Sequence, residues 1–271
     1  MRYTSDSKTG GRESGKVQAR MATARLNQQA PPADPSVPRP SWRTRLAHWA
    51  FASRPADRIL KRRATYLVET LQVAGHVKPG GVYVDVGSGT GHNSVRMAQV
   101  AQGLRARFIC IEPVSKPTRR VLKRVTKRTD RLVQFVRSIG NRLPLPDRHA
   151  DGASVFFVLH HIPYDIQLDV ISEIKRVLKP GGLLFIWEDT PENEKEYAAN
   201  EVWDRRLNFE SRHEPHYYRS GDDWQKLLED QGFALVQRVG YEDHSPRKNE
   251  GLIRHTGFVL RYGSPESVAS G

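Results

Sequence analysis

Residues 82–91 read Val-Tyr-Val-Asp-Val-Gly-Ser-Gly-Thr-Gly, and no other stretch constrains this chain as tightly. Val82, Val84 and Val86 are β-branched and leave no polar face, the composition of a strand buried on both sides in a parallel sheet. Gly87, Gly89 and Gly91 follow at alternate positions. Without a Cβ they let the backbone turn tightly and let a ligand approach where any side chain would hold it off. A helical pattern opens next, because Met97, Val100, Ala101 and Leu104 recur at i, i+3, i+4 and i+7. Spacing then narrows the ligand. A dinucleotide fingerprint needs glycine at the sixth place of G-x-G-x-x-G. Counted from Gly87 that place is His92, and the third glycine comes one residue early. The loop suits a compact adenosyl group without pyrophosphate better than it suits NAD.

The rest of the chain alternates in kind. Lys-Pro-Gly-Gly occurs twice, at 78–81 and 179–182. Proline presets the first turn position and glycine supplies positive φ at the next, so each run predicts a turn leading into a strand, at Val82 and at Leu183. Further strands are expected at Arg107 to Glu112, Leu132 to Val136, Ala153 to Val158, Leu183 to Trp187, Ala234 to Val239 and Thr256 to Tyr262. Between them, Val121, Leu122 and Val125 mark one helix, and Ile166, Val170, Ile171, Ile174, Val177 and Leu178 another. Ser220-Gly221-Asp222-Asp223 resembles a capping box that opens a helix with Trp224, Leu227 and Leu228, stopped by Gly232. Strand alternating with helix predicts an α/β fold with a doubly wound, mostly parallel sheet. Its ligand crevice lies at the carboxyl ends of the strands, where the glycines, Glu112, the 138–147 loop, His160 and Glu188 all fall.

With Asp85 two residues before Gly87, this pattern resembles motif I of class I S-adenosylmethionine (SAM) methyltransferases. Two later runs strengthen the likeness: Ser138-Ile139-Gly140-Asn141-Arg142-Leu143-Pro144-Leu145-Pro146-Asp147, then Asp151 to Val158 leading to Leu159-His160-His161. They resemble the L-P-F-P-D and L-H-H pieces of small-molecule methyltransferases, including quinone- and lipid-methylating types. The resemblance covers roughly residues 64–262. It implies a Rossmann-like sheet of seven strands, the last two an antiparallel hairpin, and SAM as cofactor. It assigns SAM binding to Asp85, Gly87, Ser88, Gly89, Gly91, Glu112, Ile139, Gly140 and Phe157, with Glu112 accepting the ribose hydroxyls. One departure stands out: Ile139 occupies the place of the aspartate that meets the adenine amino group. A lost hydrogen bond is worth about 0.5–1.5 kcal/mol. Gly140 N–H, or Asn141 after a shift of register, is left to meet the ring.

Methyl transfer from a sulfonium is an in-line displacement from a reactive donor, so alignment supplies much of the acceleration. A base is needed only where the acceptor must lose a proton. The catalytic candidates are His160, His161 and His216, with Glu188, Asp189, His213 and Tyr217 also near the mouth; a structural role holding the loop is the alternative for the two adjacent histidines. Residues 188–230 carry 13 acidic and 6 basic side chains among Tyr197, Trp203, Phe209, Tyr217 and Tyr218, so a cationic acceptor and a solvated acidic face both remain open. No metal ligand is assigned.

Charge is unevenly placed. The net +13 resolves into +10 over residues 1–63, +1 over 64–114, +9 over 115–148 and −7 over 149–271. Residues 1–45, rich in Ser, Gln, Pro and Arg, are expected to be a disordered basic arm. Asp6, Glu13 and Asp34 argue against a mitochondrial presequence, and no stretch is apolar enough to span a membrane. Residues 46–76 are expected as a helical cap, 77–264 as the methyltransferase domain with a substrate-lid insertion at 189–220, and 265–271 as a tail. Lys116, Arg119, Arg120, Lys123, Arg124, Lys127, Arg128 and Arg131 share one helix side, an anionic footprint for acidic lipid or RNA. The single Cys110 excludes an intrachain disulfide and suits a reducing, cytoplasmic setting, with peripheral membrane association open. The leading reading is a methyltransferase of a small-molecule or lipid-like acceptor; an RNA-associated methyltransferase and a non-catalytic SAM-fold binding protein are the alternatives.

Overall fold

The computed structural model describes residues 54–113, 132–207, 215–244 and 252–263, all within the compact unit Pro38–Gly271. The basic arm, the helix expected over 116–131, Phe209, His213 and the C-terminal tail lie outside the described residues. In chain order the elements are α1 (Arg54–Thr70), α2 (Val73–His76), β1 (Val82–Val86), α3 (His92–Val100), β2 (Arg107–Ile111), β3 (Val133–Val136) and β4 (Ala150–Phe156). A 3₁₀ turn (Leu159–His161) is followed by α4 (Tyr164–Val177), β5 (Leu178–Asp189), α5 (Glu194–Leu207), α6 (Gly221–Asp230), β6 (Phe233–His244) and β7 (Leu252–Tyr262).

The strands form one seven-stranded sheet in the order β3-β2-β1-β4-β5-β7-β6. The first five run parallel, and β7 returns antiparallel between β5 and β6. From β1 the chain steps outward to β2 and β3, then crosses back to β4 on the other side. That reversal opens a crevice above the carboxyl ends of β1 and β4, the place where open α/β sheets bind ligands.

Side-chain alternation explains the two cores. Val82, Val84 and Val86 point to one face with Ile109, Ile111 and Val155, covered by Val170, Ile171 and Ile174 of α4 and by Trp224 and Leu228 of α6. Tyr83, Phe108, Cys110, Phe185 and Trp187 point to the other, under Leu67 and Val68 of α1 and Val95, Met97 and Ala98 of α3. Trp187 is fully buried, and its indole N–H donates to the Leu67 carbonyl at 3.3 Å, which pins α1 to the sheet. Its ring fits because residue 257 on the neighbouring strand is glycine; a Cβ there would meet the ring at 2.7 Å. Ser220 caps α6, its Oγ accepting from Asp223 N–H at 3.1 Å, as the capping-box pattern predicts.

Several boundaries differ from the sequence reading. β5 begins at Leu178, which pairs with Ala150, and so runs through the second Lys-Pro-Gly-Gly instead of starting after it. Gly181 at φ +74° absorbs the kink as a bulge, and pairing resumes at Gly152–Leu183. β4 stops at Phe156, because Phe157 takes φ +59°. β6 and β7 extend each other as far as the His244–Leu252 pair.

Candidate active site

The glycine loop leaves β1 and turns at once. Ser88 N–H donates to Ile111 O at 3.0 Å and Gly91 N–H to Ser88 O at 2.8 Å, and α3 starts at His92. Gly87 sits at φ +68° with its Cα against β4; a Cβ would lie 2.5 Å from Val158 Cγ2. Gly89, at φ +50°, has open space where its Cβ would project. Glu112 follows β2, and its Oε2 accepts Gly89 N–H at 3.0 Å, so the carboxylate is held against the loop.

Asp85 is buried on the α3 side of β1. Its Oδ2 accepts from Ser94 Oγ at 2.5 Å and its Oδ1 from Ser154 Oγ at 2.7 Å. Burial pushes its carboxyl up to about 6, against the lowering effect of those hydroxyls. Asp85, one of the residues the resemblance assigns to the cofactor, thus braces the floor of the loop through α3 and β4. Cys110 lies beside it, donating to Ser94 Oγ at 3.0 Å, and burial pushes its thiol up to about 12. It is a core thiol.

Gly140 packs on the end of β1, where a Cβ would come 3.1 Å from Val86 Cγ1. Ile139 beside it is 46% exposed, an apolar side chain at the crevice rim where the resemblance expects a carboxylate. The residues fit an adenosyl group on two structural grounds. Ser88 Oγ is buried with no hydrogen-bond partner among the described residues, and the space over Gly89 is unfilled by protein.

Across β4 the strand ends carry a second, strongly polar cluster. Glu188 ends β5 fully buried and gathers the loop after β4, accepting N–H of Val158 at 3.0 Å and of Leu159 at 2.8 Å. Its Oε2 meets His160 Nδ1 at 2.6 Å. Asp189 Oδ1 meets His255 Nδ1 at 2.6 Å, and Asp204 Oδ2 meets His216 Nε2 at 2.6 Å. Each carboxylate therefore hydrogen-bonds one imidazole. The rings of His160 and His161 lie 4.2 Å apart, and Tyr218 stacks on His160 at 5.2 Å and on His216 at 5.3 Å. Burial alone would lower His160, but Glu188, Asp189 and Asp204 outweigh it and raise the ring to about 10. Burial and the neighbouring His160 together push His161 down to about 4.

Arg63 of α1 lies with its guanidinium 3.9 Å over the Phe157 ring. Solvent still reaches Arg63, yet enough protein surrounds it that desolvation lowers its pKa, opposed by Asp189, Asp204 and Glu188. Phe157 also meets the His255 ring edge-on at 5.3 Å. Its positive φ, costly for an aromatic residue, is held by its N–H donating to Trp187 O at 2.7 Å.

The structure brings together Asp85, Gly87, Ser88, Gly89, Gly91, Glu112 and Gly140 at one end of the crevice, and His160, His161 and His216 at the other. Asp204, His255 and Arg63 belong to the second group, and the sequence reading did not single them out. They come from α5, β7 and α1, and no local spacing ties them to the motif. The acidic, aromatic insertion was the only signal near Asp204.

A seven-stranded sheet of this order, with a glycine loop at its switch point and an acid after β2, defines a class I SAM-dependent methyltransferase domain. A family model described as a methyltransferase domain matches residues 46–238. The chain belongs to that family. Among curated proteins it is similar to the ubiquinone/menaquinone biosynthesis C-methyltransferase UbiE of Ectopseudomonas mendocina, with 29% identity over 127 residues, 44% of this chain and 45% of that protein. An uncharacterized methyltransferase of Mycobacterium bovis is 30% identical over 146 residues, 52% of this chain and 54% of that one. The chain spans about half the length of the curated relatives it matches. Among solved structures, a SAM-dependent methyltransferase from Methanosarcina mazei superposes with a TM-score of 0.55 at 17% identity, covering 71% of this chain and 97% of that one. The [4+2]-cyclase SpnF superposes equally well, at 0.55 and 16% identity, over 75% of this chain and 80% of that one. At such identities the likeness concerns the fold. No helix among the described residues is long and apolar enough to cross a membrane.

Proposed function

We propose that this protein transfers the methyl group of SAM to an oxygen-bearing small molecule held between the glycine loop and the His160–Asp204 cluster. One observation carries the reading. The cluster contains buried polar atoms with no hydrogen-bond partner among the described residues: His160 Nε2, His216 Nδ1 and the Tyr218 hydroxyl. Buried polar groups are normally satisfied, so three orphans in one cluster call for a polar ligand. Because Glu188, Asp189 and Asp204 each already face an imidazole, and Arg63 adds a cation, a cationic acceptor is disfavoured against a neutral or acidic oxygen compound. The similarity to a ubiquinone/menaquinone biosynthesis C-methyltransferase supports a small-molecule acceptor.

Bound SAM supplies an electrophilic methyl group on a sulfonium. The chain's own residues do the placing. Gly87 and Gly89 clear room at backbone level, Glu112 offers its carboxylate to the ribose hydroxyls, and Ile139 offers an apolar edge to the adenine. His161, Asp204 and Tyr218 orient the acceptor oxygen, with Phe157 and Arg63 stacked beside His255 at the edge of the cluster. Alignment of the two reactants is the main source of rate in such a displacement.

Incubation with methyl-labelled SAM and separated metabolite, lipid and RNA fractions tests this. Label is expected in the metabolite or lipid fraction, and Asp204→Asn should abolish it while leaving SAM affinity within about two-fold of wild type. Label confined to RNA, or SAM binding with no label in any fraction, would overturn the reading.

A further inference from the structure

His160, His161 and Asp204 do more than line the acceptor cleft. One ligand atom from each lies within 4.8 Å of the others. Asp204 Oδ1 is 3.7 Å from both ring nitrogens, and Asp189 Oδ2 is 3.7 Å from His160 Nε2. These separations are too long for N–H···O bonds. They are close to the ligand–ligand edge of a tetrahedron with metal bonds of ~2.0–2.1 Å, which is about 3.4 Å.

The tautomer of His160 follows from its surroundings. Glu188 accepts backbone N–H groups on the same carboxylate that meets Nδ1, so it acts as an ionised acceptor and Nδ1 is the donor. Nε2 then turns toward Asp189 and Asp204, on a side chain with no exposed surface and with no hydrogen-bond partner of its own among the described residues. A proton on Nε2 would serve one carboxylate oxygen. The nitrogen stands equally far from two, the placement expected around a shared cation.

We propose that His160, His161 and Asp204 bind one divalent first-row transition-metal ion. Two imidazoles with a carboxylate favour zinc- or iron(II)-type ions over magnesium and calcium, which prefer all-oxygen shells. The supports behind the ligands have the expected form. Metal-bound histidines commonly donate their other N–H to a carboxylate, as His160 does to Glu188, and ligating carboxylates are themselves hydrogen-bonded. Asp204 is held by His216 at 2.6 Å. An ion with protein ligands and an open position takes an acceptor oxygen as a further ligand. That role rests on the methyl transfer proposed above; occupancy of the site does not.

The test uses the full chain, stripped by chelation and titrated with Co²⁺, with Zn²⁺ in competition and Mg²⁺ as a comparison. One Co²⁺ per chain is expected, with visible bands of a four- or five-coordinate ion, displaced by Zn²⁺ and untouched by Mg²⁺. His161→Ala and Asp204→Asn should each weaken binding by more than about ten-fold, while His149→Gln, at a histidine remote from the cluster, should not. Melting curves and SAM binding report whether each variant folds. Pulsed EPR on the wild-type chain loaded with Cu²⁺ needs no variant and should show two coordinated imidazoles. Absence of stoichiometric binding, fewer than two imidazoles, or binding indifferent to both substitutions would overturn the site. Metal binding without any methylated product would instead refute the function proposed above and leave the site standing.

Discussion

Gly87→Ala separates two demands that the glycine loop places on one residue. The first is conformational: φ is +68°, and an L-residue in the left-handed region costs about 1–2 kcal/mol. The second is steric. The new Cβ would stand 2.5 Å from Val158 Cγ2 and 2.8 Å from Cγ1, and forcing a methyl into packed space costs about 1–3 kcal/mol. Together they predict a loss of about 2–5 kcal/mol, a large share of the ~5–15 kcal/mol that holds a typical domain. Val158→Ala removes the obstructing methyls and leaves φ unchanged. A double-mutant cycle should therefore return about 1–3 kcal/mol of favourable coupling, with the conformational part still missing. Gly89→Ala is the comparison. Its φ is +50° but no atom lies within 4 Å of the Cβ site, so only about 1–2 kcal/mol is lost from the free protein. The methyl would intrude on space assigned to the cofactor, so SAM affinity should fall by about ten-fold or more. Urea unfolding gives the stabilities and titration calorimetry the affinities. The reasoning fails if Gly87→Ala lies within about 0.5 kcal/mol of wild type, if Val158→Ala brings no recovery, or if Gly89→Ala destabilises the free protein as much as Gly87→Ala does.

Asp85 predicts a pH dependence. Burial raises its folded pKa from 3.8 to about 6, so the folded state holds the proton more tightly and its contribution to stability falls as pH rises through that window. The loss is on the order of 3 kcal/mol at 1.36 kcal/mol per unit. Asp85→Asn should gain on wild type by that order between pH 4 and pH 7.5 in urea unfolding, and a pH-independent difference would show that the carboxylate is not destabilised by burial. Gly257→Ala presses a methyl to 2.7 Å from the buried Trp187 ring, so a loss of about 1–3 kcal/mol is expected, with Trp fluorescence reporting the displaced ring. Arg176 ties the 143–147 loop to α4, donating to Leu143 O at 2.9 Å, Leu145 O at 2.8 Å and Asp147 at 2.7 Å. The side chain is 32% exposed, so after discounting for solvent Arg176→Ala should cost about 1–2 kcal/mol; unchanged proteolysis of that loop would argue against the tether. Glu112→Ala should weaken SAM binding by about ten-fold or more in titration calorimetry, and an unchanged affinity would remove Glu112 from the cofactor site.

Much of the fold was legible because local chemistry decides it. The β-branched run at Val82 to Val86, the helical stripe of α4 and the Ser220 cap each carry a period or a capping preference within a few residues. Strand ends were harder. Gly181 reads as a turn, yet here it kinks a strand that continues on both sides, because Ala150 offers Leu178 a partner. Whether a glycine ends a strand or bulges it depends on what lies opposite. Phe157 shows the converse: nothing in its type predicts a positive φ, which the Trp187 carbonyl and the Arg63 contact hold in place.

The site divides along the same line. By itself the sequence determined the class of ligand, because the glycine spacing, Asp85 and the acid after β2 sit close together on one strand–loop–helix and its neighbour, where chain connectivity already fixes their relation. It also supplied His160 and His161, adjacent at the end of β4. Only the tertiary structure decided what those histidines face. Asp204 arrives on α5, Arg63 on α1, and His255 because β7 runs antiparallel to β5 with Asp189 opposite it in register. Slipping that pairing by one residue would turn His255 to the other face of the sheet. The acceptor side is therefore a product of strand register and helix docking, which depend on packing between residues far apart in the chain, while the cofactor side is written in one contiguous turn of backbone.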